Sequence, residues 1–371
     1  MQSQWFLSRS IIGFLLMISS RVNASGNNVV CYFINSNGYS LAPPETLDAN
    51  LCTHINYAFA EIDEEGFLTY QNEKLDIDAG MYYRVTNLTA KNPSLKVLLS
   101  IESFSANLFP SVAADANKRK NFVTSSKEFI ETYNFHGLDI DWEKPTANDS
   151  DNFVALLREL RTEFDQASPK WLLSAAVYPN PDAGYNVPEI TKYLDMFNIM
   201  TYNYFGPWSP YTGQNAPLFE SSIDSNFERT NLNVAASIKN WINAGATQHK
   251  MNAGLAFYGR AFTLANAEIH GLHANITGPG TTATPTYRQI CSSYNEWTRV
   301  WDQEQKNPYK YLGDQWVGYD DEMSITEKVK YAMSQDLAGV MVWHIGGDDL
   351  NGECGEKQGL LKLVNDVIDN Y

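Results

Sequence analysis

Basic residues are scarce: 27 Lys and Arg stand against 43 Asp and Glu, a formal charge of −16. No run of Lys or Arg offsets this, which argues against nucleic acid or an anionic membrane surface as a partner. The 6 His are scattered without metal-ligand spacing and no C-x-x-C pair occurs, so neither a metal nor a cofactor is expected. Low-complexity linkers and short repeats are absent. Beyond the first residues no window offers the ~18 apolar residues that a membrane span needs. A soluble chain is therefore expected, with monomer as the default.

What is there begins with "MQSQWFLSRSIIGFLLMISSRVNASGNN". Arg9 precedes an apolar core over 11–18, and Val22-Asn23-Ala24 offers a small-x-small cleavage site. This reads as a secretory leader over 1–24, too short to span comfortably, with the exported chain starting near Ser25. The 4 cysteines, Cys31, Cys52, Cys291 and Cys354, fit two disulfides in an oxidising compartment, with three possible connectivities. Asn87, Asn148 and Asn275 stand in N-x-S/T sequons and are glycosylation candidates in an exported protein.

Along the chain, strand-like apolar runs alternate with helical spacing. The strand windows are 28–34, 53–59, 96–101, 138–143, 172–177, 196–202, 251–257 and 337–343. Phe122, Val123, Phe129, Ile130 and Tyr133 recur at helical spacing, as do Phe153, Leu156, Leu157, Leu160 and Phe164. This alternation points to an α/β protein, a (β/α)8 or TIM barrel, with a doubly wound open sheet as the alternative that a strand count leaves open. The stretch 262–322 is too long and too rich in Gly, Pro, Thr and aromatics for a simple crossover. It reads as a small α+β insertion subdomain between strands seven and eight. Its Tyr287, Trp297, Trp301 and Trp316 are either its own core or a ligand wall.

The segment "FHGLDIDWEKP" carries Asp139, Asp141 and Glu143 at alternate positions. Side chains alternate along a strand, so the three carboxylates share one face and Leu138, Ile140 and Trp142 the other. Apolar residues on the second face argue against a solvated acidic edge. In a barrel this row runs from the interior to the carboxyl-end mouth, where active sites are built. Stacked carboxylates cannot all ionise, so protons are shared and at least one pKa rises. An acid at the mouth without a second flanking carboxylate suggests glycoside hydrolysis in which the substrate supplies the nucleophile.

"GLDIDWE" resembles the active-site strand of glycoside hydrolase family 18, the chitinases and chitinase-like lectins. "VVCYFIN", "LCTHINYAFA", "FNIMTYN", "AFYGRAFTL", "GDQWVGYDDE" and "LAGVMVW" resemble other blocks of that family, in order, across the chain after the leader. The resemblance implies a secreted endo-type chitinase acting on chitin or chito-oligosaccharides with retained configuration. It implies Glu143 as proton donor, Asp141 as the group orienting the substrate acetamide, and Asp139 as the partner sharing its proton. Tyr202 would donate to the acetamido oxygen. Trp343 would form the floor, lined by Tyr32 and Phe59, with Phe104, Asn203, Tyr258 and Arg260 as further sugar contacts. It also implies the pairings Cys31–Cys52 and Cys291–Cys354.

The chain departs from the family pattern in places. His136 stands where another Asp is usual, but its parity takes it off the carboxylate face. "SIESF" replaces a Gly-Gly-Trp block, so Glu102 and Ser103 would crowd the cleft while Phe104 keeps an aromatic. Ser36 replaces a stacking Trp, and Asn203 stands where Asp is common. These changes suggest weakened distal subsites and a preference for short oligosaccharides. The chain shows no Ser/Thr/Pro linker or extra cysteine cluster for a separate chitin-binding module. The competing reading is a non-enzymatic chitin-binding lectin; in such members the position of Glu143 is usually replaced, and here it is not.

Overall fold

The computed structural model describes residues 28–35, 43–102, 105 and 107–371. The leader, Ser36, Ser103 and Phe104 lie outside them. In chain order the strands are β1 (Asn28–Ile34), β2 (His54–Ile62), β3 (Leu68–Tyr70), β4 (Lys96–Glu102), β5 (Gly137–Asp141), β6 (Leu172–Val177), β7 (Met196–Ile199) and β8 (Met251–Ala256). They continue with β9 (Arg260–Leu264), β10 (Ile276–Pro279), β11 (Thr298–Asp302), β12 (Asn307–Leu312), β13 (Gln315–Gly318) and β14 (Gly339–Trp343). β1 pairs in parallel with both β14 and β2, which closes the ring and excludes an open doubly wound sheet. The barrel order is β1, β2, β4, β5, β6, β7, β8, β14, with β3 added antiparallel to β2.

Each of the eight strand windows read from the sequence holds one barrel strand. The fourth stops at Asp141 rather than Glu143. Trp142 and Glu143 leave the sheet at its carboxyl end, and Pro145, which has no N–H to give, follows in the loop. Gly137 opens β5 at φ 154°, where an added Cβ would run into the Leu172 carbonyl of β6.

The parity of β5 decides its two surroundings. Leu138, Ile140 and Trp142 point outward into the layer shared with the helices. The Trp142 ring stacks on Phe109 at 5.3 Å and meets Phe153 edge-on at 5.2 Å. Helix Ala116–Tyr133 starts where the Asp115 side chain accepts the N–H groups of Asn117 and Lys118. Helix Ser150–Phe164 buries Phe153, Leu156, Leu157, Leu160 and Phe164, the apolar face expected from spacing. Burial of each such side chain contributes about 1.5–3 kcal/mol.

Between β8 and β14, the seventh and eighth barrel strands, β9 to β13 form a five-stranded antiparallel sheet in the order β10, β9, β13, β12, β11. Helix Tyr287–Ser293 lies within this insertion, opened by a capping box of Thr286 and Gln289. Trp316 is fully buried, stacked on Tyr309 at 5.0 Å and edge-on to Phe262 at 5.5 Å. Trp316 and the buried Tyr287 are therefore core rather than ligand wall. Disulfides join Cys31 of β1 to Cys52 and Cys291 of the insertion to Cys354.

His54 begins β2 at the foot of the barrel. Burial, and then the nearby charges of Lys96 and His136, push its imidazole down to about 4. The folded imidazole holds a proton less tightly than the unfolded one, which titrates near ~6.5. Its contribution to stability is therefore fully present above that pH and is lost as pH falls toward 4, by up to about 3 kcal/mol. His54→Gln is expected to lose less stability than the unaltered chain in urea titrations run at neutral pH and again in acid. Parallel losses in both would remove His54 from the acid response.

Candidate active site

The interior of the barrel is built around Asp139, which is fully buried. Register places Ser100 of β4 and Ser174 of β6 on either side of it. Ser174 Oγ donates to Oδ1 at 2.5 Å and Ser100 Oγ to Oδ2 at 2.8 Å. Tyr32 of β1 reaches across the ring to donate to Oδ2 at 2.6 Å, and Asn198 Nδ2 of β7 donates to Oδ1 at 3.2 Å. Asn198 is itself held by Asn252 Nδ2 at 3.0 Å.

Asp141 sits one pleat nearer the mouth and is differently provided. It is 5% exposed, and its buried Oδ1 has no hydrogen-bond partner among the described residues. Burial, then the charges of Glu143, Asp139 and Glu102, push its pKa well above the ordinary carboxylate value. Burial also raises Asp139, but its four donors pull the other way. Of the two, Asp141 is pushed up the further. No hydrogen bond joins the pair among the described residues.

Glu143 is exposed at the mouth. Its main chain is fixed even though its side chain is free. The buried Tyr185 hydroxyl donates to the Glu143 carbonyl at 2.8 Å and reaches the Trp142 carbonyl at 3.1 Å. A cleft of about 500 Å³ opens beside Glu143, lined by Tyr178, Tyr202, Asn203, Trp208 and Phe227 among others.

The other sugar-site candidates gather around the same mouth. Tyr32, Phe59, Tyr202 and Tyr258 belong to one buried cluster in the barrel interior, with Trp343 packed against it. Trp343 lies 5.2 Å from Tyr32 and 5.9 Å from Phe59, stacked on the latter. Tyr202 stands over Gly254, where an added Cβ would come within 2.9 Å of its ring and 2.6 Å of the Ile199 carbonyl. Tyr258 Oη (2.7 Å) and Arg260 Nε (2.9 Å) and Nη2 (2.7 Å) all donate to Asn203 Oδ1. The Arg260 guanidinium lies 5.1 Å from the exposed Trp208 ring, an open cation–π contact.

His136 stays at the foot of the barrel, its Nδ1 accepting the Val97 N–H at 3.1 Å, away from the carboxylate row. Glu102 lies opposite Asp141 in register; burial, then Glu143 and Glu61, push it up to about 7. Asn87, Asn148 and Asn275 are exposed. Sequence pattern does not point to Tyr185, Trp208 or the donors Ser100, Ser174 and Asn198. The Gly-Pro-Trp stretch after the sixth barrel strand is the one available signal, for Trp208.

A buried carboxylate pair under an exposed glutamate, at the carboxyl end of a closed barrel, meets one family description: Glycosyl hydrolases family 18 matches residues 28–348. The chain belongs to that family. Among relatives of this glycoside hydrolase, an endochitinase of Manduca sexta is 31% identical over 395 residues, 97% of this chain and 71% of that protein. Chitotriosidase-1 of Mus musculus is 34% identical over 88% of this chain and 75% of its own length. The Group IV chitinase of Ostrinia furnacalis superposes with a TM-score of 0.88 at 34% identity, covering 92% of this chain and 99% of that one, and it has also been solved with allosamidin. Human YKL-39, described as a pseudo-chitinase that retains chitooligosaccharide binding, superposes at 0.86 with 30% identity over 92% of this chain and 99% of its own.

Ser174→Ala would leave a buried carboxylate one donor short. A hydrogen bond to a charged group contributes about 1.5–3 kcal/mol. Urea unfolding of Ser174→Ala near neutral pH is expected to show a loss of that size, and an unchanged midpoint would show that the Ser174 hydroxyl does not hold Asp139.

Proposed function

We propose that this chain is a secreted chitinase that hydrolyses β-1,4 linkages between N-acetylglucosamine units, with retention through substrate assistance. The observation that carries the reading is the exposed Glu143 at an aromatic cleft, above the buried pair Asp139 and Asp141, of which Asp139 holds four donors and Asp141 keeps a free Oδ1. The allosamidin complex of the insect relative supports a ligand of this class.

In this reading the sugar before the scissile bond rests on Trp343. Its acetamido oxygen attacks the anomeric carbon while Glu143 protonates the departing glycosidic oxygen, so the C–O bond breaks as a cyclic oxazolinium forms. Tyr202 steadies the acetamido oxygen. The free Oδ1 of Asp141 accepts the acetamido N–H, and its proton moves toward Asp139 as positive charge develops on the ring. Water then adds to the anomeric carbon and gives its proton to Glu143, which restores both groups. The two displacements together retain configuration. The leader, two disulfides and three exposed sequons support export.

A second reading, a lectin that binds chito-oligosaccharides without cutting them, draws on the likeness to human YKL-39 and on the half-buried Glu102 beside Glu143. Hydrolysis of a fluorogenic chitotrioside separates the two. Activity that falls ~10²–10⁴-fold in Glu143→Gln, with oligosaccharide binding retained, fits the enzyme. An inert but binding wild-type protein would make the lectin reading correct.

A further inference from the structure

Outside the carboxylate row, three ligating side chains meet near the far wall of the cleft. Asp224 and Glu228 lie at and within helix Asn226–Asn231, which follows β7, whereas His273 comes from the turn between β9 and β10 of the insertion. Asp224 Oδ1, Glu228 Oε1 and His273 Nε2 lie within 4.8 Å of one another. His273 Nε2 stands 3.5 Å from Asp224 and 3.8 Å from Glu228. The two acidic side chains are only 5% and 7% exposed.

Neighbouring donors hold both carboxylates, one of them on Glu228 Oε1 itself. Ser221 N–H donates to Asp224 Oδ2 at 2.7 Å, Ser225 N–H to Glu228 Oε2 at 2.6 Å and Tyr211 Oη to Glu228 Oε1 at 2.5 Å. His273 is fixed by its N–H to the Thr212 carbonyl at 2.9 Å and by its ring lying 4.2 Å from Tyr211. Asp224 Oδ1 is the exception: it is buried, faces His273 Nε2 at 3.5 Å and has no hydrogen bond among the described residues. An orphaned carboxylate oxygen costs free energy unless something cationic or protic reaches it.

We infer that Asp224, Glu228 and His273 form a zinc site that joins the barrel to its insertion. One imidazole nitrogen with two carboxylate oxygens suits zinc, with a fourth position open to water. Calcium takes six to eight oxygens and finds too few here. Ligand bonds of about 2.0–2.1 Å around a tetrahedron set ligand atoms roughly 3.3–3.5 Å apart. The imidazole stands within tenths of an ångström of that spacing from each acid, and the two carboxylate oxygens, within 4.8 Å of each other, close the rest. Ser221 and Tyr211 act as the outer partners that aim the two carboxylates. The competing arrangement is an imidazolium between the two acids, which has no lone pair to give.

The test uses the untagged full chain, stripped with chelator and dialysed against micromolar zinc chloride near neutral pH, with metal counted by mass spectrometry. One zinc per chain and a raised thermal midpoint are expected. His273→Gln and Asp224→Asn, confirmed folded by circular dichroism, should bind more than about 100-fold more weakly, beyond the cost of losing an outer partner. No stoichiometric uptake by the unaltered chain overturns the site, as does undiminished uptake by both folded variants. Should a variant fail to fold, zinc-edge absorption of the unaltered chain decides, since a shell with no imidazole or with two contradicts this ligand set.

Discussion

A carboxylate enclosed at the centre of the barrel sets the terms for the strands around it. Removing Asp139 from water is costly unless its lone pairs are met. They are met by Ser100, Ser174, Tyr32 and Asn198, from β4, β6, β1 and β7. Two of the donors are lateral neighbours and two reach across the ring, so the arrangement requires closure as well as register. A slip of one residue in β5 would turn Asp139 into the helix layer and bring Leu138 or Ile140 inside. The interior polar set and the outer apolar set thus enforce the same alignment.

The contrast between Asp139 and Asp141 follows from how donors are shared out. Four donors surround the deeper acid, while the shallower one faces only like charge and burial. A proton hierarchy arises from this without any direct bond between the pair. Above them the backbone at Trp142 and Glu143 is pinned by Tyr185 and by the Phe109 stack, while the Glu143 carboxylate is left to the cleft. Rigid main chain with a free functional group is what positioned chemistry asks of a strand end.

The strands and the carboxylate face were legible because period-two alternation is a local property, and β5 displays it with charges on one side and Trp142 on the other. The clustering of Tyr32, Phe59 and Trp343 was legible only through resemblance, since they come from three distant segments. Ser100 and Ser174 give no local signal: a serine within an apolar strand reads as a small filler until its neighbour in the sheet is known. Asp224 and His273 fail for a related reason, since their proximity depends on how the insertion folds back onto the loop after β7.

The insertion is covalently closed as well as packed. Its Cys291 is bonded to Cys354, beyond the eighth barrel strand, so the chain from one to the other forms a loop with a sequence separation of 63. Hydrolysis of any one peptide bond inside that loop opens a ring instead of releasing a piece. The cut molecule keeps its β14 and its Trp343 tethered to the remainder, and the severed ends stay at high effective concentration for each other. For a chain read as exported, damage to the insertion is held in place.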